Sequence, residues 1–297
     1  MAKKHKSVLQ RNSWISWVIF SFLLVDTCAI LFLYLWAFFT SLKTPFGFLQ
    51  NQIWPEAPWK WTFENFKTSF TLFESYVLTD TGLYKIGLFT MLINTVTLCV
   101  LQIGVSMTSK FSMAYVLGRF KGRHVTFINN MFLFLMMIPF ISSTASSLNL
   151  YKSIGVYDTW FFIIIMAIPF FDYNFLILQS FIRGIGAETI EAAKIDGAGN
   201  FRVMWQIVFP QVANVIAIMS LMTLIGSWND YMTTVIWMPS YPTLAYGVYA
   251  FSTSTATGAS LPPVQMAGAM ILALPVVIVF IIFKEKILGG ISFSLTK

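Results

Sequence analysis

Glu191-Ala-Ala-Lys-Ile-Asp-Gly-Ala-Gly-Asn-Phe-Arg-Val-Met-Trp-Gln-Ile-Val-Phe-Pro210 decides how this chain is organised. The stretch is a polar, helix-forming island between two hydrophobic runs that are each long enough to cross a bilayer. Gly184 and Gly186 break the preceding run, Ala187 to Asp196 favours helix, and Gly197 suits a helix C-terminus. Asn200 suits the N-cap of a second helix running toward Pro210. Such an island sits on the wet side of a membrane and offers a handle there.

The composition supports that setting. The chain is 57% hydrophobic and 10% charged, against about 25% charged residues in a soluble domain. A spanning helix needs roughly 20 mostly apolar residues. Six such segments are read: Trp14 to Phe39, Ile86 to Met107, Phe127 to Ser146, Trp160 to Ile182, Val208 to Ser227 and Val264 to Phe283. All are expected as helices, because lipid cannot satisfy an unpaired backbone group. The fold class is therefore all-α and polytopic, and the first span, preceded by Lys3, Lys4, Lys6 and Arg11, is expected as an uncleaved helix. Residues 1–13 form an N-terminal tail, 14–284 one transmembrane domain and 285–297 a C-terminal tail.

Net charge of +7 suggests nucleic acid only until the basic residues are located. Arg119, Lys121 and Arg123 follow span two, Arg183, Lys194 and Arg202 follow span four, and Lys284, Lys286 and Lys297 follow span six. Val203 to Phe283 contains no Lys or Arg. By the positive-inside rule both termini and the 184–210 loop are cytoplasmic, and no nucleic-acid partner is expected. The external segment from about Ser41 to Tyr84 carries Trp54, Trp59 and Trp61, either as headgroup anchors, the commoner use, or as sugar-stacking rings. Cys28 and Cys99 lie inside spans with no metal-ligand spacing.

No G-x-x-x-x-G-K-[ST] sequence occurs, so the backbone amides and lysine that hold nucleotide phosphates are missing. The two histidines, His5 and His124, form no acid-base cluster, and no enzymatic activity is expected. Small Ala192 and Ala193 permit close approach of a partner surface, and Glu191 can pair with a partner's arginine.

The spacing Glu191-Ala192-Ala193, Gly197, Ile207 and Phe209-Pro210 resembles the EAA loop of ABC-type importer permeases. Weaker signals agree in order: Thr40-Ser41-Leu42-Lys43, Phe63-Glu64-Asn65-Phe66, Asn94-Thr95, Ala114-Tyr115 with Arg119-Phe120-Lys121-Gly122-Arg123, and Ser227-Trp228-Asn229-Asp230. Together they make the chain similar to carbohydrate-importer permeases of the MalG type. Two features depart from that pattern: Phe209 replaces a leucine, and Ser292 to Lys297 replaces the usual ending. The resemblance implies a type I importer in a bacterial cytoplasmic membrane. This chain would pair with a second, non-identical permease, two ATPase subunits that bind ATP and Mg, and an external solute-binding protein. Glu191, Ala192, Ala193, Asp196 and Gly197 would form the coupling helix seated on the ATPase, between helices four and five, and the cargo would be a sugar, by family an oligosaccharide.

Polar residues inside spans are costly, about 2.5 kcal/mol or more for a carboxylate at mid-bilayer. Asp172 and Asn174, with Tyr173 between them and Pro169 nearby, are the leading substrate-pathway candidates, with Phe170 and Phe171 adjacent. Trp228 and Asn229 at the end of span five join them, and an interfacial cap is the alternative use there. Asn94, Asn129, Asn130 and Asn214 suit interhelical hydrogen bonding. Asp26 has two readings, paired or protonated. The competing function is an ion-coupled secondary transporter in which Asp26 and Asp172 bind the ion.

Overall fold

The computed structural model describes residues 13–79, 82–138, 144–169, 172–253 and 261–294. Most of these residues are helical. Residues 1–12, Lys297, Asp80, Phe170 and Phe171 lie outside the described residues, as do residues 139–143 of the expected third span.

Helix α1 (Ser13–Ser41) is apolar all round, and no residue of its apolar window is buried. Such a helix needs lipid or another chain around it. It is followed by α2 (Pro45–Gln50), a 3-10 turn (Pro58–Lys60) and α3 (Glu64–Leu72). Contacts group residues 1–73 with 251–273 as one compact unit and 74–250 with 274–297 as a second.

In the first unit, two short motifs meet. The Asn65 amide donates to the carbonyls of Ser41 (2.8 Å) and Lys43 (2.7 Å), and Thr40 to Lys43 is fully buried. Lys43 gives its ammonium to the Asn51 carbonyl at 2.8 Å. Burial pulls that ammonium below the ordinary lysine range, and the Glu56 carboxylate opposes the shift. Trp36 and Trp61 donate to the carbonyls of Gln52 and Glu56, whereas Trp54 and Trp59 are exposed.

The second unit opens with an antiparallel hairpin, β1 (Glu74–Thr79) and β2 (Gly82–Gly87), in the register Glu74↔Gly87. Glu74 and Lys85 pair diagonally across it. The end of the segment from about Ser41 to Tyr84 is therefore a hairpin. Helix α4 (Leu88–Arg119) is next, then α5 (Arg123–Met137), α6 (Thr144–Ser153), α7 (Trp160–Ala167) and α8 (Tyr173–Gly184). Helix α9 (Ala187–Ile195) leads to α10 (Asn200–Arg202). A π turn at Val203–Val208 joins α10 to α11 (Phe209–Trp228) without interruption. Helices α12 (Met232–Trp237), α13 (Leu244–Thr253) and α14 (Pro262–Ser294) complete the chain.

Three described helices are long and apolar enough to cross a membrane: Trp14–Ser41, Leu88–Arg119 and Asn200–Trp228. Several expected span limits change, and the fifth span starts at Asn200 rather than Val208. Helix α4 begins at Leu88 and continues twelve residues past Met107, because its later half is held by protein rather than lipid. Span three divides, with Ser146 belonging to α6. Span four is two helices, α7 and α8.

The core of the second unit is built by α4, α8 and α11. Phe111, Ala114 and Tyr115 pack against Leu178, Ile182, Val203, Val208 and Val212. The π turn explains the tolerance of Pro210. Pro210 has no amide hydrogen and would clash with the carbonyl four residues back. The helix widens here instead, and the Phe209 amide donates to Met204, five residues back.

Candidate functional site

Two places in the second unit gather the residues that the sequence singles out. The first is the segment from Gly184 to Pro210. Helix α9 ends as a Schellman motif. The Ala198 amide donates to Ala193 (2.9 Å), the Gly197 amide donates to Lys194 (3.0 Å), and Gly197 has φ +82°. That conformation needs glycine, as expected. Asn200, by contrast, is no cap: Gly199 occupies the N-cap and Asn200 is the first helical residue.

Helix α9 has two faces. Ile190 and Ala193 pack against the core, while Glu188, Glu191, Ala192 and Ile195 are exposed at helical spacing. Asp196 and Gly197 are exposed as well. Ile195 is 86% exposed and Phe201 74%. The free face is thus acidic and apolar together, and Ala193 belongs to the inner face rather than beside Ala192.

Both ends of this segment are fastened to α4. The Arg119 guanidinium donates to the Ile185 carbonyl at 2.6 Å, and the Tyr115 hydroxyl donates to the Asn200 carbonyl at 3.3 Å. Arg183 returns a bond from α8 to the Leu117 carbonyl at 3.3 Å. Below α10, Phe111 meets Trp205 at 5.3 Å and Phe209 at 5.4 Å. Phe209, one of the two departures from the family pattern, therefore closes an aromatic knot. These ties were missed in the sequence because Tyr115 and Arg119 read only as weak motif residues.

The second place is the break between α7 and α8. Asp172 caps α8, accepting from the Phe175 amide at 2.9 Å, and pairs with Lys110 at 2.7 Å. The Lys110 side chain is 8% exposed and that of Asp172 43%. Ser109, beside Lys110, donates to the free Ile168 carbonyl at 2.5 Å. Lys110 was overlooked because hydropathy ends span two at Met107. Tyr173 is 81% exposed and Asn174 is half-buried. Tyr173 and Asp172 border a cavity of 530 Å³ shared with Met136 and Met137 of α5.

Trp228 is buried, and the Asn229 amide turns back to the Ile225 carbonyl. Asp230, just before the Tyr231 N-cap of α12, accepts from the Thr233 amide (3.0 Å) and hydroxyl (2.5 Å) in the first turn. Two of the asparagines assigned to packing do bridge elements. Asn129 accepts from Gln179 at 2.9 Å, and Asn94 donates to the Pro242 carbonyl at 3.0 Å. Asp26 is exposed on α1. Among the described residues no cluster of three His, Cys, Asp or Glu is positioned to hold a metal.

Known proteins resemble this chain over nearly its full length. The galactooligosaccharides transport system permease protein GanQ of Bacillus subtilis (strain 168) is 28% identical over 287 residues, 94% of this chain and 95% of that protein. The maltodextrin transport system permease protein MdxG of the same organism is 27% identical, covering 80% and 81%. The trehalose transport system permease protein SugB of Mycobacterium tuberculosis (strain CDC 1551 / Oshkosh) is 26% identical, covering 89% and 91%. In fold, the chain is similar to one from a bacterial ABC transporter that imports the acidic polysaccharide alginate. The TM-score is 0.75 at 17% identity, covering 96% of this chain and 99% of that one. Residues 110–285, which include α9 and the Tyr115 and Arg119 that tie it to α4, match the model of the binding-protein-dependent transport system inner membrane component, and the chain belongs to that family.

Proposed function

We propose that this chain is the membrane-spanning permease of an ATP-driven importer that receives a sugar from an external solute-binding protein. It supplies half of the translocation pathway. The other half is a second, non-identical permease, and two ATPase subunits bind ATP and Mg. The observation that carries this reading is the free face of α9. Glu188, Glu191, Ala192 and Ile195 are exposed on a helix whose other face and both ends are held, in a chain of a family of transport components.

The cytoplasmic assignment of that helix follows from charge. Arg119, Arg183, Lys194 and Arg202 cluster around it, and Val203 to Phe283 holds no Lys or Arg. Lys and Arg accumulate on the cytoplasmic side, which puts both termini there as well. Residues 14–284 act as the permease domain, with tails of 1–13 and 285–297. Glu191, Ala192, Ala193, Asp196 and Gly197 form the coupling element. Closure of the ATPase pair moves α9 as a rigid body. The motion reaches α8 and α11 through the chain and α4 through Tyr115 and Arg119. The substrate-pathway roles of Asp172, Tyr173, Asn174, Trp228 and Asn229 belong to the same proposal. A carbohydrate cargo, specifically an oligosaccharide, is supported by the names of the relatives.

The ion-coupled alternative gives way to family membership, and Asp172 already has its counter-charge in Lys110. The test is co-purification in detergent of wild-type and Glu191→Arg chains with their partner subunits, followed by ATP hydrolysis. Uptake is then assayed with galactooligosaccharide, maltodextrin and trehalose as neutral sugars and alginate oligosaccharide as the acidic one. Loss of the ATPase from the variant supports the reading. Unchanged association and hydrolysis contradict it.

A further inference from the structure

Farther along α4 and α11 from the coupling segment lies a cavity of 360 Å³ walled by α4, α7, α11 and α12. Its size falls within the roughly 300–1,000 Å³ of small-ligand sites. On α11 the lining residues are Thr223, Gly226 and Ser227, the last two lying three and four residues from Thr223 and therefore on one helix face with it, and Asp230 joins them from just beyond the helix end. Gln102 faces them from α4. Trp237 of α12 stacks on Phe162 of α7, with centroids 5.2 Å apart and planes at 18°, and meets Tyr151 edge-on at 5.6 Å. The Asp158 amide holds the Trp237 carbonyl at 3.0 Å, and the Asp158 carboxylate accepts from the Ser240 amide and hydroxyl.

Gln102, Thr223 and Ser227 have no side-chain hydrogen-bond partner among the described residues. A polar group in a membrane helix without an internal partner is costly in lipid and is retained where it meets water or a ligand. Asp230 is the sole charged residue in the lining. Its two bonds to Thr233 leave a carboxylate lone pair on each oxygen free to accept.

We propose that this cavity is a subsite for one neutral glycosyl unit of the transported sugar. The Gln102 amide and the Thr223 and Ser227 hydroxyls both give and take hydrogen bonds from sugar hydroxyls. Asp230 accepts one more, and the stacked Trp237 and Phe162 side chains give the apolar side of the sugar an apolar wall. A uronic acid unit is excluded by the Asp230 charge, with no lysine or arginine in the lining to answer it. The inference rests on the sugar-importer reading and adds that this permease itself selects the cargo.

The experiment uses the complete transporter in proteoliposomes, with its binding protein and ATPase, and the neutral and acidic sugars above. A Cβ at Gly226 would meet nothing within 4 Å. Gly226→Leu therefore fills the cavity without displacing the wall, and uptake is expected to fall at least about tenfold. Hydrolysis stimulated by the binding protein should stay near wild type. Gln102→Leu is expected to raise KM about tenfold with kcat little changed, and Gln102→Asn to restore part of it. Wild-type KM in both Gly226→Leu and Gln102→Leu overturns the subsite and leaves the importer reading standing. Efficient alginate oligosaccharide uptake also overturns it. A wild-type complex that moves no sugar at all overturns both.

Discussion

Helices α4 and α11 carry two regions of opposite character. Near α9, the long polar side chains reach backbone carbonyls inside the protein, with the Arg119 Nε left unpaired among the described residues. Tyr115, Arg119 and Arg183 close onto the carbonyls of Asn200, Ile185 and Leu117, and Phe111, Trp205 and Phe209 fill the space beside them. Farther along the same helices, Gln102, Thr223 and Ser227 line a cavity with no protein partner. A region that transmits force must be stiff, and a region that admits a polar cargo must offer unmet hydrogen bonds. One helix pair supplies both because its polar side chains reach backbone carbonyls at one end and are left free at the other.

The contrast breaks most visibly at Arg119. Removing a hydrogen bond made by a charged group costs about 1.5–3 kcal/mol. Arg119→Ala should therefore lower uptake by about ten- to a hundredfold, while hydrolysis by the assembled complex persists. Arg119→Lys, which keeps the charge, should recover part of the coupling. Equal losses of uptake and hydrolysis would mean that Arg119 serves folding alone.

Next in size is the Lys110–Asp172 pair. Lys110→Met leaves the carboxylate without its counter-charge. For a buried pair the loss is about 3–5 kcal/mol, but Asp172 is 43% exposed. Water screens it, and a loss of roughly 1–2 kcal/mol in thermal unfolding is expected. The double variant with Asp172→Asn should be more stable than Lys110→Met alone.

Gly197→Ala forces a side chain into a φ of +82° and should cost about 1 kcal/mol, read as weaker ATPase association with the cavity unaffected. Smallest is Tyr115→Phe, which removes a single 3.3 Å bond. A few-fold fall in coupling is expected, for about 0.5–1 kcal/mol. If that variant also shifted the KM for sugar, the two regions would not be separable as described.

Local chemistry was legible in the sequence. Gly184, Gly186 and Gly197 bracket α9 because helix ends are decided by a few neighbouring residues. The long apolar helices follow from composition. What escaped depends on partners distant in the chain. Hydropathy stops span two where Lys110 enters, yet α4 continues because α8 and α11 cover it. Asp172 looked like a free intramembrane carboxylate until α4 brought Lys110 to it. The motifs at Thr40–Lys43 and Phe63–Phe66 are weak alone and explain each other through Asn65. The polar stripe from Thr223 to Asp230 stands in the sequence at helical spacing, but only the fold sets Gln102 and Trp237 opposite it.

The most direct test of the central claim compares sealed vesicles containing this chain alone with vesicles containing the full set of permeases, ATPase and binding protein. The account predicts accumulation of neutral sugar only in the full set, and only with ATP supplied to the α9 side. Accumulation by the chain alone, driven by an ion gradient, would contradict it.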